Sequence, residues 1–305
     1  MTTAFQTLIR LPRRSRVVVG MSSSTITRSC SSWKVSRASG RWLAGDPVLT
    51  ESMQEATKML PEGAYTSLRT YGKSSFLELD GHFDRLEETT ELLGHHVALQ
   101  RSELRRLLGD LARAVPSAQT IFRITIGVHD RPGEIWLSAA PLAPPSKQDY
   151  EDGVFLVSRT IHRDNPKAKN NAFITESEEE RKVIGGRVNE VLMISDDGDA
   201  LEGLSSNFFG VKNGTVFTAE EGVLPGITRS LILESISELG IPLVRQPVKA
   251  EDLRLLDEAF VSSTSRGVLP VVKIDDDTIS HVPGELTTTI ARNFNGRVAM
   301  RLEHL

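Results

Sequence analysis

The chain carries a small set of groups able to do covalent or electrostatic chemistry. Two lysines, Lys167 and Lys169, lie in the polar stretch HRDNPKAKNNAF, where an amine can act as a nucleophile or carry a proton. Both face the same side of an extended segment, so periodicity does not choose between them. Glu202 places a carboxylate in LEGLSSNFF. Downstream, Leu224-Pro225-Gly226-Ile227-Thr228 leads into residues 228–239, where Leu231, Ile232, Ile236 and Leu239 recur at helical spacing before Gly240 and Pro242. That pattern predicts a helix capped by Thr228. Its first amides, together with the helix dipole, favour an anion such as a phosphate.

These groups need elements to hold them. Asn213-Gly214 between residues 208–211 and 215–218 predicts a hairpin, because both turn residues tolerate positive φ. Residues 63–71 read as a strand with Tyr65, Ser67 and Arg69 on one face. Residues 120–128 alternate, with Phe122, Ile124 and Ile126 on one side and Arg123 on the other. Further strands are expected over 134–140, 154–159, 189–195, 242–248 and 258–264. Helices are expected over 51–59, from about 82, and over 102–115, 175–181, 251–257 and 284–298. The proline-rich run Pro141-Leu142-Ala143-Pro144-Pro145-Ser146 reads as a stiff linker. The expected architecture is two α/β domains, residues 46–142 and 151–305, joined over 143–150.

EGLSSNFF followed by LPGITRS resembles the signature of the class IV enzymes dependent on pyridoxal 5'-phosphate, which include branched-chain and D-amino-acid aminotransferases and aminodeoxychorismate lyase. The resemblance covers most of residues 63–272. It implies the two-domain fold type IV architecture with the cofactor between the domains. It also implies transfer of an amino group from an amino acid to a 2-oxo acid through a lysine Schiff base, commonly in a homodimer. On this resemblance Lys169 is the Schiff-base lysine, since a small residue precedes it and an aromatic follows in Ala168-Lys169-Asn170-Asn171-Ala172-Phe173. Glu202 would keep the pyridine nitrogen protonated, so that the ring can act as an electron sink. HFDRL resembles the family's H-x-x-R-L and gives Arg85 the cofactor phosphate, for which a planar, permanently charged fork is suited. Gly226, Ile227 and Thr228 would hold the same phosphate, as would Thr264 with Ser263 in AFVSSTSRGVLPV; Ser206 and Asn207 would hydrogen-bond around the ring. Tyr65, Arg69 and Arg123 match positions lining the substrate pocket. The chain departs from the pattern at Thr66, where many relatives carry an acid, and at Ala172-Phe173, which replaces a frequent asparagine-tyrosine pair. A lyase releasing pyruvate and a relative without catalysis are the alternative readings.

Composition bounds the rest. With 305 residues, 39% hydrophobic and 25% charged, the chain suits an ordinary two-domain globular protein. It has no apolar run of membrane-spanning length. The single cysteine, Cys30, excludes an intrachain disulfide, and the seven histidines show no metal-ligand spacing. Residues 1–45 contain Arg10, Arg13, Arg14, Arg16, Arg28, Lys34, Arg37 and Arg41 and no acid before Asp46. Such composition resembles an organellar transit peptide, chloroplast or mitochondrial, the alternatives being a disordered basic tail or a misplaced start codon, with Met21 and Met53 as other starts. Without those eight residues, 28 of the 36 lysines and arginines remain against all 40 acids, a formal charge of about −12. That balance argues against nucleic acid as a partner.

Overall fold

The computed structural model describes residues 30–38 and 41–305. The chain divides into two compact units. The first takes in residues up to Ala143, together with Ala168–Thr175 and Leu302–Leu305; the second comprises Pro144–Lys167 and Glu176–Arg301.

The first unit is built on an eight-stranded sheet in which every named pairing is antiparallel. Its order runs Leu302–His304, Ser75–Leu77, Gly63–Tyr71, Thr120–Gly127, Ile135–Pro141, Cys30–Ala38 and Arg41–Ala44, with Val48–Thr50 beside Cys30–Ala38. One face buries the alternate residues: Ala64, Thr66 and Leu68 stand opposite Ile126, Ile124 and Phe122. Helices Leu79–Leu92 and Arg101–Ala114 cover that face with Leu79, Phe83, Leu86, Leu104, Leu108 and Leu111. Fully burying side chains of this kind contributes about 1.5–3 kcal/mol each.

Two departures from the sequence reading in this unit have a physical reason. Strand Cys30–Ala38 starts inside the segment expected to lie outside the fold, and Cys30 and Trp33 are buried in it. Its Ser and Arg content hides the alternation, because Lys34 and Arg37 simply face solvent. The remainder of the expected transit segment, residues 1–29, lies outside the described residues. Helix Leu79–Leu92 begins before Asp80-Gly81, which is no turn; the reversal is made by Glu78 at φ 51°.

The second unit contains a ten-stranded sheet that closes on itself. Ser206–Lys212, Glu258–Ser263, Gly267–Ile274, Val154–Thr160, Val188–Ile194 and Asp199–Gly203 are paired in that order, and Asp199–Gly203 pairs back onto Ser206–Lys212. The closing register sets Glu202 opposite Asn207. An irregularity between Ala200 and Gly203 interrupts the pairing with Val188–Ile194, the kind of bulge that re-aims a side chain at a barrel rim. The hairpin at Asn213-Gly214 is present, with φ of 50° and 73°. Helix Ile227–Glu238 starts one residue before the expected range, and Gly226 is its cap. Thr228 is therefore the second helical residue and not the cap. The helix expected over 175–181 is two short ones, Ala172–Glu176 and Glu178–Arg181.

Residues 168–175 join the first unit's sheet through Asn171, which is 3% exposed. Its side-chain oxygen accepts from Gly63 N at 2.8 Å, its side-chain nitrogen donates to Pro61 O at 2.9 Å, and its backbone N–H donates to Gly63 O. Tyr65 N donates to Lys169 O at 2.9 Å, so the segment runs as an extra strand beside residues 63–65. Asn171→Ala leaves a buried N–H and a buried C=O unpaired, and the expected loss is about 2 kcal/mol. Urea unfolding of the full chain, followed by circular dichroism, checks it.

Candidate functional site

Within the first unit the functional candidates gather on strand Gly63–Tyr71 and helix Leu79–Leu92. Lys169 is half-buried, its Nζ 4.7 Å above the centre of the Tyr65 ring, and its backbone N–H reaches Thr89 Oγ1 at 3.3 Å. Arg123 lies 4.8 Å from the centre of the same ring and hydrogen-bonds Thr57. Tyr65, Arg123 and Lys169 are thus brought together, two cations against one aromatic ring, a favourable arrangement for each. Arg69 is not part of this group. It stands four residues along the strand from Tyr65, roughly 13 Å away at ~3.3 Å per residue, with its guanidinium on Gln119 and over the Tyr71 ring.

Arg85 is fully buried on the core side of the same strand. Its Nη2 donates to Thr66 Oγ1 at 2.5 Å and lies 3.3 Å from His82 Nδ1. Among the described residues no carboxylate hydrogen-bonds it, and its Nε has no hydrogen-bond partner. Burial pushes its pKa down to about 10. His82 is held well below the usual imidazole range by burial first, then by the positive charges of Arg85 and Lys169, so it is neutral near pH 7.

Lys167, the other candidate amine, belongs to the second unit. Its side chain is 57% exposed and its ammonium pairs with Glu221 at 3.1 Å. Glu202 is 3% exposed and held by three hydrogen bonds: Oε1 accepts from Arg163 at 2.9 Å, and Oε2 accepts from Asn207 Nδ2 at 3.0 Å and Leu224 N at 3.1 Å. Asn207 also donates to Leu224 O, which ties the carboxylate to the loop leading into helix Ile227–Glu238. Ser206 donates to Glu190 Oε2 at 3.1 Å, so its hydroxyl serves a second buried carboxylate. Arg266 donates to the same oxygen at 2.6 Å, and Ser205 at 2.5 Å. Burial alone raises the Glu190 pKa, but Arg266, the Ser205 hydroxyl and Val191 N–H together outweigh it and lower it below the usual carboxylate value. Ser263 ends its strand with its hydroxyl 3.3 Å from Ser265, and Thr264 lies in the turn that follows, closed by Arg266 N donating to Ser263 O.

Helix Ile227–Glu238 opens with no side chain capping it and no acid in its first turn. The first bond back to the cap is Ser230 N to Gly226 O, so the N–H groups of Ile227, Thr228 and Arg229 point out of the helix end. A Cβ at Gly226 would stand 2.3 Å from Asn207 Oδ1, so only glycine fits there. Each unit by itself has donors that fit a phosphate: in the second, the free first-turn amides of an uncapped helix start; in the first, the buried positive charge of Arg85. Asn171, Arg163 and Arg266 are missed by sequence reasoning; each reads as a polar loop residue and acquires its role only through partners far along the chain. Among the described residues no group of His, Cys, Asp or Glu is placed to hold a metal ion, and no helix is long and apolar enough to cross a membrane.

Comparison with known proteins fits the same picture. The family model described as Amino-transferase class IV matches residues 63–274. A Thermotoga maritima protein named as a probable branched-chain-amino-acid aminotransferase is 29% identical over 244 residues, 78% of this chain and 86% of its own. The aminodeoxychorismate lyase of Bacillus subtilis is 24% identical over 246 residues, 75% of this chain and 83% of its own. Among solved structures, the branched-chain aminotransferase of the archaeon Thermoproteus uzoniensis with norvaline superposes with a TM-score of 0.72 at 23% identity, over 90% of this chain and 99% of its own, a likeness of fold. With the family model spanning well over half of its length, the chain belongs to the class IV aminotransferases, enzymes that work with pyridoxal 5'-phosphate.

Proposed function

We propose that Lys169 is the working amine of this aminotransferase, and that the amino group moves from an aliphatic amino acid to a 2-oxo acid. The observation that carries the lysine assignment is the contrast between the two candidates: Lys169 is half-buried over Tyr65, beside Arg123, whereas Lys167 is exposed and spent on Glu221. An aliphatic donor is supported by the branched-chain names of the relatives. Bound pyridoxal phosphate supplies the carbonyl that takes up the amino group and a ring that receives the electron pair left at the substrate Cα. Lys169 Nζ takes the proton from Cα on one face and returns it when the 2-oxo acid is aminated. Arg123 and Tyr65 border that amine and bind the substrate carboxylate; Arg69, turned to Gln119, acts at most at the far end of that pocket. Glu202 would accept from the pyridinium N–H, and Arg163, Asn207 and Leu224 N hold its carboxylate in place. Arg85, the first-turn amides of Ile227 and Thr228, and the hydroxyls of Ser263 and Thr264 take the phosphate. Assembly as a homodimer and import into an organelle belong to the same proposal. They rest on the family resemblance and on the composition of the N-terminal segment.

Lys169→Ala is expected to lose transaminase activity by at least ~10³-fold together with the visible absorbance of bound cofactor, while Lys167→Ala keeps both. The reverse pattern reassigns the amine. The lyase reading is favoured by the length of the match to the Bacillus subtilis enzyme, and acceptor dependence separates the two activities. A transaminase turns over leucine, isoleucine or valine only when a 2-oxo acid is present. Pyruvate release from aminodeoxychorismate without any acceptor decides for the lyase.

A further inference from the structure

Thr66 has the geometry of a positioning residue for the cofactor phosphate. It lies in the middle of strand Gly63–Tyr71 on the face that packs against the core, between Ala64 and Leu68 and opposite Ile124, and it is 0% exposed. A hydroxyl in that apolar row has to find partners or cost the fold its desolvation. It finds two. Arg85 Nη2 donates to Thr66 Oγ1 at 2.5 Å, and Thr66 Oγ1 lies 2.7 Å from His82 Nδ1. Arg85 Nη2 also lies 3.3 Å from His82 Nδ1, and because the guanidinium can only donate, Nδ1 has to accept and the hydroxyl proton goes to it. Nδ1 is then the acceptor, and His82 is the neutral tautomer with its proton on Nε2, in keeping with its depressed pKa.

The three side chains form a directional chain, guanidinium to hydroxyl to imidazole. His82 and Arg85 are three residues apart on helix Leu79–Leu92, and both are buried. Thr66 is the tie from that helix to the strand. None of the three supplies a negative charge, so the chain orients the guanidinium without neutralising it. Glu88 acts on Arg85 only through longer-range charge, so among the described residues the guanidinium keeps its positive charge with no carboxylate hydrogen-bonded to it. We infer that the Thr66 hydroxyl, backed by neutral His82, sets the orientation of Arg85 toward the phosphate of the cofactor and thereby raises the affinity for phosphorylated over unphosphorylated cofactor. The inference rests on the assignment of Arg85 to the phosphate.

The test compares pyridoxal 5'-phosphate with pyridoxal, each titrated by absorbance into the full-length chain stripped of cofactor. Thr66→Val is close in shape and lacks the hydroxyl; Thr66→Ala takes its place should the valine variant not fold; Thr66→Ser restores the oxygen. Removing the hydroxyl is expected to weaken pyridoxal 5'-phosphate about tenfold, the order set by losing one hydrogen bond to a charged group, and to leave pyridoxal within about twofold. Thr66→Ser is expected to recover most of the loss. Equal weakening for both ligands would show a role in packing alone and overturn the inference. Arg85→Met separates the two layers. If it abolishes the preference for the phosphorylated ligand while Thr66→Val leaves that preference intact, the positioning role falls and the Arg85 assignment stands. If Arg85→Met leaves the preference unchanged, the assignment falls as well.

Discussion

A charge removed from water has to be answered by an opposite charge or by several hydrogen bonds, and that requirement places most polar groups of both units. In the second unit the buried carboxylates are answered internally: Glu202 by Arg163, Asn207 and an amide; Glu190 by Arg266 and two serines. Each set ties together segments distant in sequence, so the carboxylates also serve as fasteners. The strand carrying Glu202 is held to the loop before helix Ile227–Glu238, and the turn after Ser263 is held to the turn at Ser205. In the first unit the requirement is met less closely at Arg85, which is also buried but has only neutral hydrogen-bond partners among the described residues, Glu88 acting on it through longer-range charge. A fold that keeps a cation in its interior with no carboxylate hydrogen-bonded to it favours an anionic ligand, because binding removes a cost that folding left behind.

Much of this is legible in the sequence wherever the signal is local. Asn213-Gly214 specifies its hairpin by backbone conformation alone, and Phe122, Ile124 and Ile126 mark a core face by alternation. The intrinsic preference of Thr228 as a cap puts the cap two residues off, because Asn207, whose side chain occupies the space above Gly226, fixes it there instead. Strand Cys30–Ala38 is hidden by composition, since the cations in and after it stand where any solvent-facing residue would serve. Arg163 and Arg266 lie 39 and 76 positions from their carboxylates, and a partner at that distance leaves no trace in a local pattern.

The choice between the two lysines shows the same division. Spacing gives them equal standing, and the family pattern favours Lys169. The fold supplies a physical contrast: the Lys169 backbone is a strand partner of Tyr65 and reaches Thr89, which limits the motion of its side chain. Lys167 precedes that pairing by two residues and pairs with an exposed acid, an interaction of small energy in water. Restricting an amine before it reacts lowers the entropy cost of a reaction, so under the proposed role of Lys169 the hydrogen bonds of Asn171 and Thr89 would bear on chemistry through geometry.

The threading of the chain has a consequence for biosynthesis. The stretch bearing Lys169 and the edge strand Leu302–His304 belong to the first unit, although both are translated after residues of the second. On the ribosome the first sheet therefore emerges with one edge bare and without its lysine. It gains that edge only when residues 302–304 are added, by which time all of the second unit has been made. An exposed edge strand invites pairing with other chains, and in this order of synthesis Ser75–Leu77 has no partner on that side until Leu302–His304 has been made.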